Sequence, residues 1–220
     1  MKNKIIIVGT GAVAAEITSM IEDSPYGEIA NIEIKGYLEY SYNVEKYYKK
    51  YKFINSVLGD VDNYLPIEED YFVIGVADIS FRKKLIDILE SKNAKFINII
   101  HHTAIIARTA HLGKGNLINP NCMVGPNAVL GNFNLLTSGS MISHDCIVGN
   151  NNVFSTGLLC GHVIIGNDNN FGVRGTVIPH ISIGDRNIVQ AGMIVDKDVL
   201  NDTTVFHRFK EKVLAIPKIK

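Results

Sequence analysis

L-I-N-P-N-C, M-V-G-P-N-A, V-L-G-N-F-N, L-L-T-S-G-S, M-I-S-H-D-C, I-V-G: these are residues 117–149, cut every six. The second place of each block is aliphatic, giving Ile118, Val124, Leu130, Leu136, Ile142 and Val148. The same beat runs back to Leu112 and Ile106 and on to Phe154. It then slips by one residue, through Leu159 or Cys160, and resumes at Ile165, Phe171, Val177, Ile183, Val189 and Val195. A helix repeats every 3.6 residues and a strand every 2, so neither alone yields six. Six residues per face and three faces per coil predict a triangular solenoid of parallel strands, with one aliphatic pointing inward from each face. Glycine often follows the aliphatic (Gly113, Gly125, Gly131, Gly149, Gly166, Gly172, Gly184), and asparagine clusters nearby. Both tolerate left-handed backbone, so they are expected to supply the sharp corners. Four residues after the aliphatic a small side chain recurs: Ala110, Cys122, Ala128, Ser140, Cys146. That slot makes Cys122 and Cys146 corner fillers and not nucleophiles.

Ahead of the repeat the pattern is different. Residues 4–8 read as a short buried strand, followed by Gly9-Thr10-Gly11 and a helically spaced run from Ala15 to Ile21. Strand, Gly-x-Gly and helix open a nucleotide-binding βαβ unit, because glycine lets a phosphate or sugar approach the N–H groups at the helix start. A tight turn that binds nothing is the plainer reading. A second strand is expected over 32–38, ending at Glu39-Tyr40, where such folds grip a ribose or base edge. The Tyr/Lys-rich stretch 40–51 reads as a surface helix or lid. A third strand (71–76), an amphipathic helix (79–89) with Phe81-Arg82-Lys83-Lys84 near its start, and a last strand (96–100) complete the order β-α-β-β-α-β, a small parallel sheet. The fold class is thus an α/β Rossmann-like βαβ domain (1–98) followed by a parallel β-helix (99–200) and a C-terminal tail (201–220).

Composition narrows the function. The 220 residues hold 22 basic and 22 acidic side chains, which removes the electrostatic case for a nucleic-acid or polybasic membrane partner. No apolar run approaches the ~18 residues of a spanning helix, and M-K-N-K-I-I-I-V-G lacks the layout of a signal peptide. Three cysteines with no C-x-x-C pair argue against zinc and against a disulfide framework, so no metal is expected and the simplest setting is cytoplasmic. Inside the repeat, Ser143-His144-Asp145-Cys146 places a carboxylate beside a histidine, the minimum for a general base and the group that tunes it. A solenoid with flat, partly apolar faces buries one against copies of itself, and a trimer is expected.

With both halves in view, the chain resembles the sialic-acid O-acetyltransferase-like family of bacterial nucleotide-sugar acetyltransferases, which includes enzymes that N-acetylate UDP-4-amino-4,6-dideoxy sugars. The likeness runs from Ile5 to about Thr204. It rests on Ile142-Ser143-His144-Asp145-Cys146-Ile147-Val148-Gly149, on Gly161-His162-Val163-Ile164-Ile165-Gly166 and on Val195-Asp196-Lys197-Asp198-Val199. The resemblance implies a left-handed β-helix, with His144 as general base and Asp145 raising its basicity. It puts acetyl-CoA between neighbouring subunits of a homotrimer, against Val173 and Ala191. Val153 and Gly161 are further expected cofactor contacts, and backbone N–H groups near Gly161 are placed to stabilise the oxyanion. The nucleotide-linked amino sugar falls at Thr10, Gly11, Glu39, Tyr40 and Gly75. Three departures stand out. The glycine-rich loop is short and lacks a histidine, Val153 occupies the place of a histidine that reaches the thioester, and Phe206-His207-Arg208-Phe209-Lys210 replaces a closing Gly-x-Pro-Ala, with Arg208 and Lys210 left to meet CoA phosphates. N- and O-acetylation of the sugar both suit a His-Asp base. A non-catalytic solenoid that binds a nucleotide-sugar is a further reading, and a dehydrogenase would rest on Gly9-x-Gly11 alone.

Overall fold

A computed structural model describes residues 3–23, 26–40 and 44–207 of the chain. Its first sheet is organised around β1 (Asn3–Val8), whose Ile5, Ile6, Ile7 and Val8 are all buried. A strand apolar at every position is one covered on both faces. Around it lie β2 (Ile32–Glu39), β3 (Val57–Asp60), β4 (Tyr71–Ile74) and β5 (Lys95–Phe96), all parallel, in the order β3-β2-β1-β4-β5. Ile5 and Ile7 pack with helix α1 (Ala12–Glu22), through Ala14, Ile17, Met20 and Ile21. Ile6 and Val8 face the other way, onto Leu85, Ile86 and Leu89 of helix α3 (Ile79–Ser91). Helix α2 (Val44–Tyr51) fills the expected surface segment, with Tyr48 and Tyr51 against Phe53, while residues 41–43 lie outside the described ones.

Two expectations need correction here. The sheet has five strands, because the short V-L-G-D of β3 also pairs with β2. The single strand expected over 96–100 is two: Lys95–Phe96 closes the sheet, and Ile99–Ile100 already belongs to the next one.

From Ile99 the chain winds through two-residue strands that stack in three parallel sheets. The first face starts at Ile99–Ile100, the second at Ile105–Ile106 and the third at His111–Leu112, after which Leu117–Ile118 returns to the first. The architecture fits a left-handed parallel β-helix. The predicted aliphatics form its interior, and they stack in register, as in Val124, Ile142, Leu159 and Val177 on the second face. The one-residue slip is a shortened corner between Phe154 and Leu159, and it is Leu159 that points inward, fully buried. Outward residues of the first face, Ile99, Leu117, Leu135 and Val153, are buried with α1 and β1, so this face carries the N-terminal domain.

The corners work differently from the expectation. Left-handed backbone falls three residues after the aliphatic, at Asn121, Asn127, Phe133, Asp145, Asn151, His162, Asp168, Arg174, His180 and Arg186. The glycines that directly follow the aliphatic have another cause: a Cβ on Gly131 would stand 2.6 Å from the carbonyl oxygen of Gly149 in the next coil. They are glycines because coils touch there. The asparagines Asn116, Asn134, Asn152, Asn169 and Asn187, buried between the third and first faces, form a ladder. Each Oδ1 accepts the backbone N–H of the next, at 2.8, 2.9, 2.9 and 2.8 Å. Among the described residues no helix is long and apolar enough to cross a membrane.

Candidate functional site

His144 and Asp145 sit at a corner between the second and third faces. Ile142 before them and Cys146 after them are buried, so the chain is pinned on both sides while the two polar side chains project outward. Asp145 takes left-handed backbone (φ 58°), which a short polar residue tolerates better than a branched one. The turn brings its Oδ2 to 2.7 Å from His144 Nδ1. Its Oδ1 accepts from Asn127 Nδ2 at 3.1 Å, one coil back, and Oδ2 lies 3.9 Å from His162 Nε2, one coil on. Hydrogen bonds from His144 and then Asn127 hold the Asp145 carboxyl below its usual range, so it is an anion at neutral pH.

With Nδ1 engaged, Nε2 is the nitrogen left for chemistry. It lies over Gly161: a Cβ there would stand 2.5 Å from His144 Cε1 and 2.7 Å from Nε2. The glycine expected near the oxyanion thus makes room for the imidazole. His162 meets the His144 ring edge-on at 5.2 Å, and His180 stacks on His162 at 4.8 Å, only 7° from parallel. Asn127 and His180 are members of this corner that sequence reasoning left out. They lie 18 residues from Asp145 and from His162, a spacing that carries meaning only once the coil length is known. Neither buried thiol competes as a nucleophile. Burial raises the Cys122 and Cys146 pKa values, and Cys146 Sγ donates to the Cys160 carbonyl at 3.0 Å.

A second candidate is a cavity at the C-terminal edge of the first sheet, the place where parallel sheets with a reversal in strand order commonly bind ligands. Gly9, Thr10, Gly11, Glu39, Gly75 and Val76 line a cavity of about 370 Å³. Thr10 Oγ1 donates to Glu39 Oε1. Gly75 is a glycine by close approach, since a Cβ would be 3.0 Å from Ala14 Cβ. Four of the five expected sugar-site residues therefore line one cavity. Tyr40 is not in the lining; it packs edge-on against Phe81 at 5.3 Å, with Lys84 Nζ 4.1 Å above its ring.

The expected acetyl-CoA residues separate. Val173 and Ala191 are exposed neighbours on successive coils at the corner between the first and second faces, where Gly192 N donates to Val173 O at 2.8 Å. Val153 is a correction. It is buried beneath the N-terminal domain and offers no surface for a cofactor. Arg208 and Lys210 lie outside the described residues.

Arg82 was missed altogether. It is fully buried, and that burial lowers its pKa to about 10. Nη1 donates to Val76 O (2.6 Å), Nη2 to Phe133 O (2.6 Å) and Nε to Asn151 Oδ1 (3.1 Å). It joins the cavity wall to the β-helix. Its spacing to Leu85, Ile86 and Leu89, the buried stripe of α3, was the available signal.

The chain has solved structural neighbours. A histidine-to-asparagine mutant of perosamine N-acetyltransferase from Caulobacter crescentus, crystallised with CoA and GDP-perosamine, matches with a TM-score of 0.78 and 21% identity, over 91% of this chain and 92% of that one. The acetyltransferase domain of PglB from Neisseria gonorrhoeae, in complex with acetyl coenzyme A, matches with a TM-score of 0.76 and 20% identity, over 93% and 96%. WeeI from Acinetobacter baumannii matches with a TM-score of 0.75 and 19% identity, over 92% and 96%. These likenesses establish the fold. No protein-family model matches the sequence, and no curated protein is similar to it.

Proposed function

We propose that this chain is an acetyl-CoA-dependent N-acetyltransferase acting on a nucleotide-linked amino-deoxy sugar for surface glycan synthesis. The observation that carries the reading is the His144–Asp145 pair, bonded at 2.7 Å on an outer corner of the β-helix, with the imidazole Nε2 lying over Gly161. The N-terminal domain, with its Rossmann-type strand order, holds the nucleotide-sugar in the cavity at Thr10, Gly11, Glu39 and Gly75. In the reaction, His144 Nε2 takes the proton of the sugar amine as its nitrogen attacks the thioester carbonyl. Asp145 orients the ring and stabilises the imidazolium. As the C–S bond breaks, the proton passes to the departing CoA sulfur. The buried Cys146 supports this direct transfer over a covalent acetyl-enzyme.

The layout around the triangular section supports a site shared between copies. The sugar cavity belongs to the domain mounted on the first face, whereas His144 lies at the opposite corner, between the second and third faces. Val173 and Ala191 occupy another corner again. One copy cannot bring the three together, and a neighbouring copy can. Outward apolar residues of the uncovered faces, Ile105 and Ile194 on the second and Ile147 and Ile164 on the third, supply a surface for that contact. The proposed assembly is a homotrimer, working in the cytoplasm where both substrates are made.

The test is acetyl-CoA turnover, read by thiol release, against UDP-, GDP- and dTDP-linked 3-amino and 4-amino sugars and free sialic acid. Turnover with one nucleotide-linked amino sugar is expected. Turnover with sialic acid alone would replace N-acetylation by O-acetylation. Silence throughout, with no heat of acetyl-CoA binding, would end the enzyme reading.

A further inference from the structure

We propose that His144, Asp145 and His162 form a binding site for a zinc-type divalent metal ion, and that filling it shuts off the base. The site stands on geometry alone; the shut-off rests on the role of His144 proposed above.

The donor atoms, one from each side chain, all lie within 4.8 Å of one another, and among the described residues no other such set occurs. Donors about 2.0–2.2 Å from a tetrahedral zinc ion lie roughly 3.3–3.5 Å apart. Two of the three separations, 2.7 Å from His144 Nδ1 to Asp145 Oδ2 and 3.9 Å from Asp145 Oδ2 to His162 Nε2, bracket that value, and the two histidine donors lie within 4.8 Å of each other. Small side-chain rotations are enough to close on an ion. The backbone beneath is rigid, since Ile142 and Leu159 pair in register and His162 N donates to His144 O at 3.2 Å.

Two neighbours restrain the ligands, one by a hydrogen bond and one by ring stacking. Asn127 Nδ2 donates to the other Asp145 oxygen, and His180 stacks on the His162 ring. The three side chains are 55, 37 and 49% exposed, so an ion can enter and keep water in its remaining position. Two imidazoles and one carboxylate favour zinc, nickel, cobalt or iron over magnesium and calcium.

The consequence follows from the tautomer. A neutral imidazole bound to a metal through Nδ1 carries its proton on Nε2. That nitrogen then cannot accept a proton from an incoming amine. Metal and base compete for one histidine.

Calorimetric titration of the metal-free full chain with zinc chloride decides the site, with cobalt(II) d–d absorption as a second reading. One zinc per chain is expected, with affinity falling at least about tenfold in His162→Ala and Asp145→Asn. His111→Ala, away from this corner, should bind as the parent does. Absence of stoichiometric zinc binding, or binding that survives His162→Ala in a variant with an unchanged melting profile, overturns the site. These outcomes are independent of turnover, so failure of the acetyltransferase reading leaves them interpretable. If acetyl transfer is active, zinc should inhibit it and EDTA restore it. Bound zinc without inhibition would overturn the shut-off.

Discussion

Two corners of the same solenoid treat polar residues in opposite ways. Between the third and first faces, Asn116, Asn134, Asn152, Asn169 and Asn187 are buried, and each uses its side chain on the backbone or amide of the next coil. Between the second and third faces, Asn127, Asp145, His162 and His180 stand in the equivalent column one residue earlier, on left-handed backbone, and point outward. Every ladder Oδ1 is spent inside the fold, on a backbone N–H of the next coil. His144 beside Asp145 keeps one ring nitrogen uncommitted. A polar residue in a repeat holds the repeat together when its donors and acceptors meet the adjacent coils. It is available for chemistry when they do not.

The largest expected effect separates the corners by rate. His144→Ala should lower kcat by ~100- to ~10,000-fold, the usual contribution of a general base, and leave the thermal melt where it was. Steady-state acetyl transfer and a melting curve on the same preparation check both halves. A variant at near-parental rate would remove His144 from the mechanism.

The opposite corner should answer by stability. Asn152 Oδ1 accepts from Asn169 N and Nδ2, and its own Nδ2 donates to Gly166 O at 3.0 Å. Asn152→Ala leaves these groups buried without partners, at ~1–3 kcal/mol for each such group. A net loss of about 3 kcal/mol is expected in denaturant titration, with kcat of the folded fraction kept. A loss of activity without a loss of stability would erase the distinction between the corners.

How much of this could be read from the sequence depended on how far apart the deciding residues lie. The six-residue beat is local, so the β-helix and its inward column were legible, the slip at Leu159 included. His144 and Asp145 are adjacent, and they were legible too. Asn127 and His162 meet Asp145 from 18 and 17 residues away, and the asparagine ladder has the same spacing. Such contacts appear only when coils are stacked. Glycine was ambiguous for a related reason, because left-handed backbone and close approach select the same residue, and only the neighbouring coil distinguishes them. Arg82 drew no expectation of its own, because its partners Phe133 and Asn151 lie 51 and 69 residues away on the β-helix. In β3, a four-residue strand containing glycine gave too little alternation to notice.

The smallest effect makes the sharpest comparison, because it sets two chemically identical substitutions against each other. Gly131→Ala places a methyl group 2.6 Å from the carbonyl oxygen of Gly149, part of a backbone ladder that cannot yield without shifting a coil. Overpacking of this kind costs ~1–3 kcal/mol. Gly161→Ala places the same methyl 2.5 Å from the His144 ring, the free end of a half-exposed side chain that can swing away at little cost in stability. Swinging, however, moves Nε2, and a displacement near 1 Å in a reacting group can cost up to ~100-fold in rate. Gly131→Ala should therefore melt earlier at full activity, and Gly161→Ala should melt normally with kcat reduced roughly 10- to 100-fold. Two variants that lose stability alike would show that the imidazole is held as firmly as the backbone, so that room above Gly161 serves packing and not the position of the base.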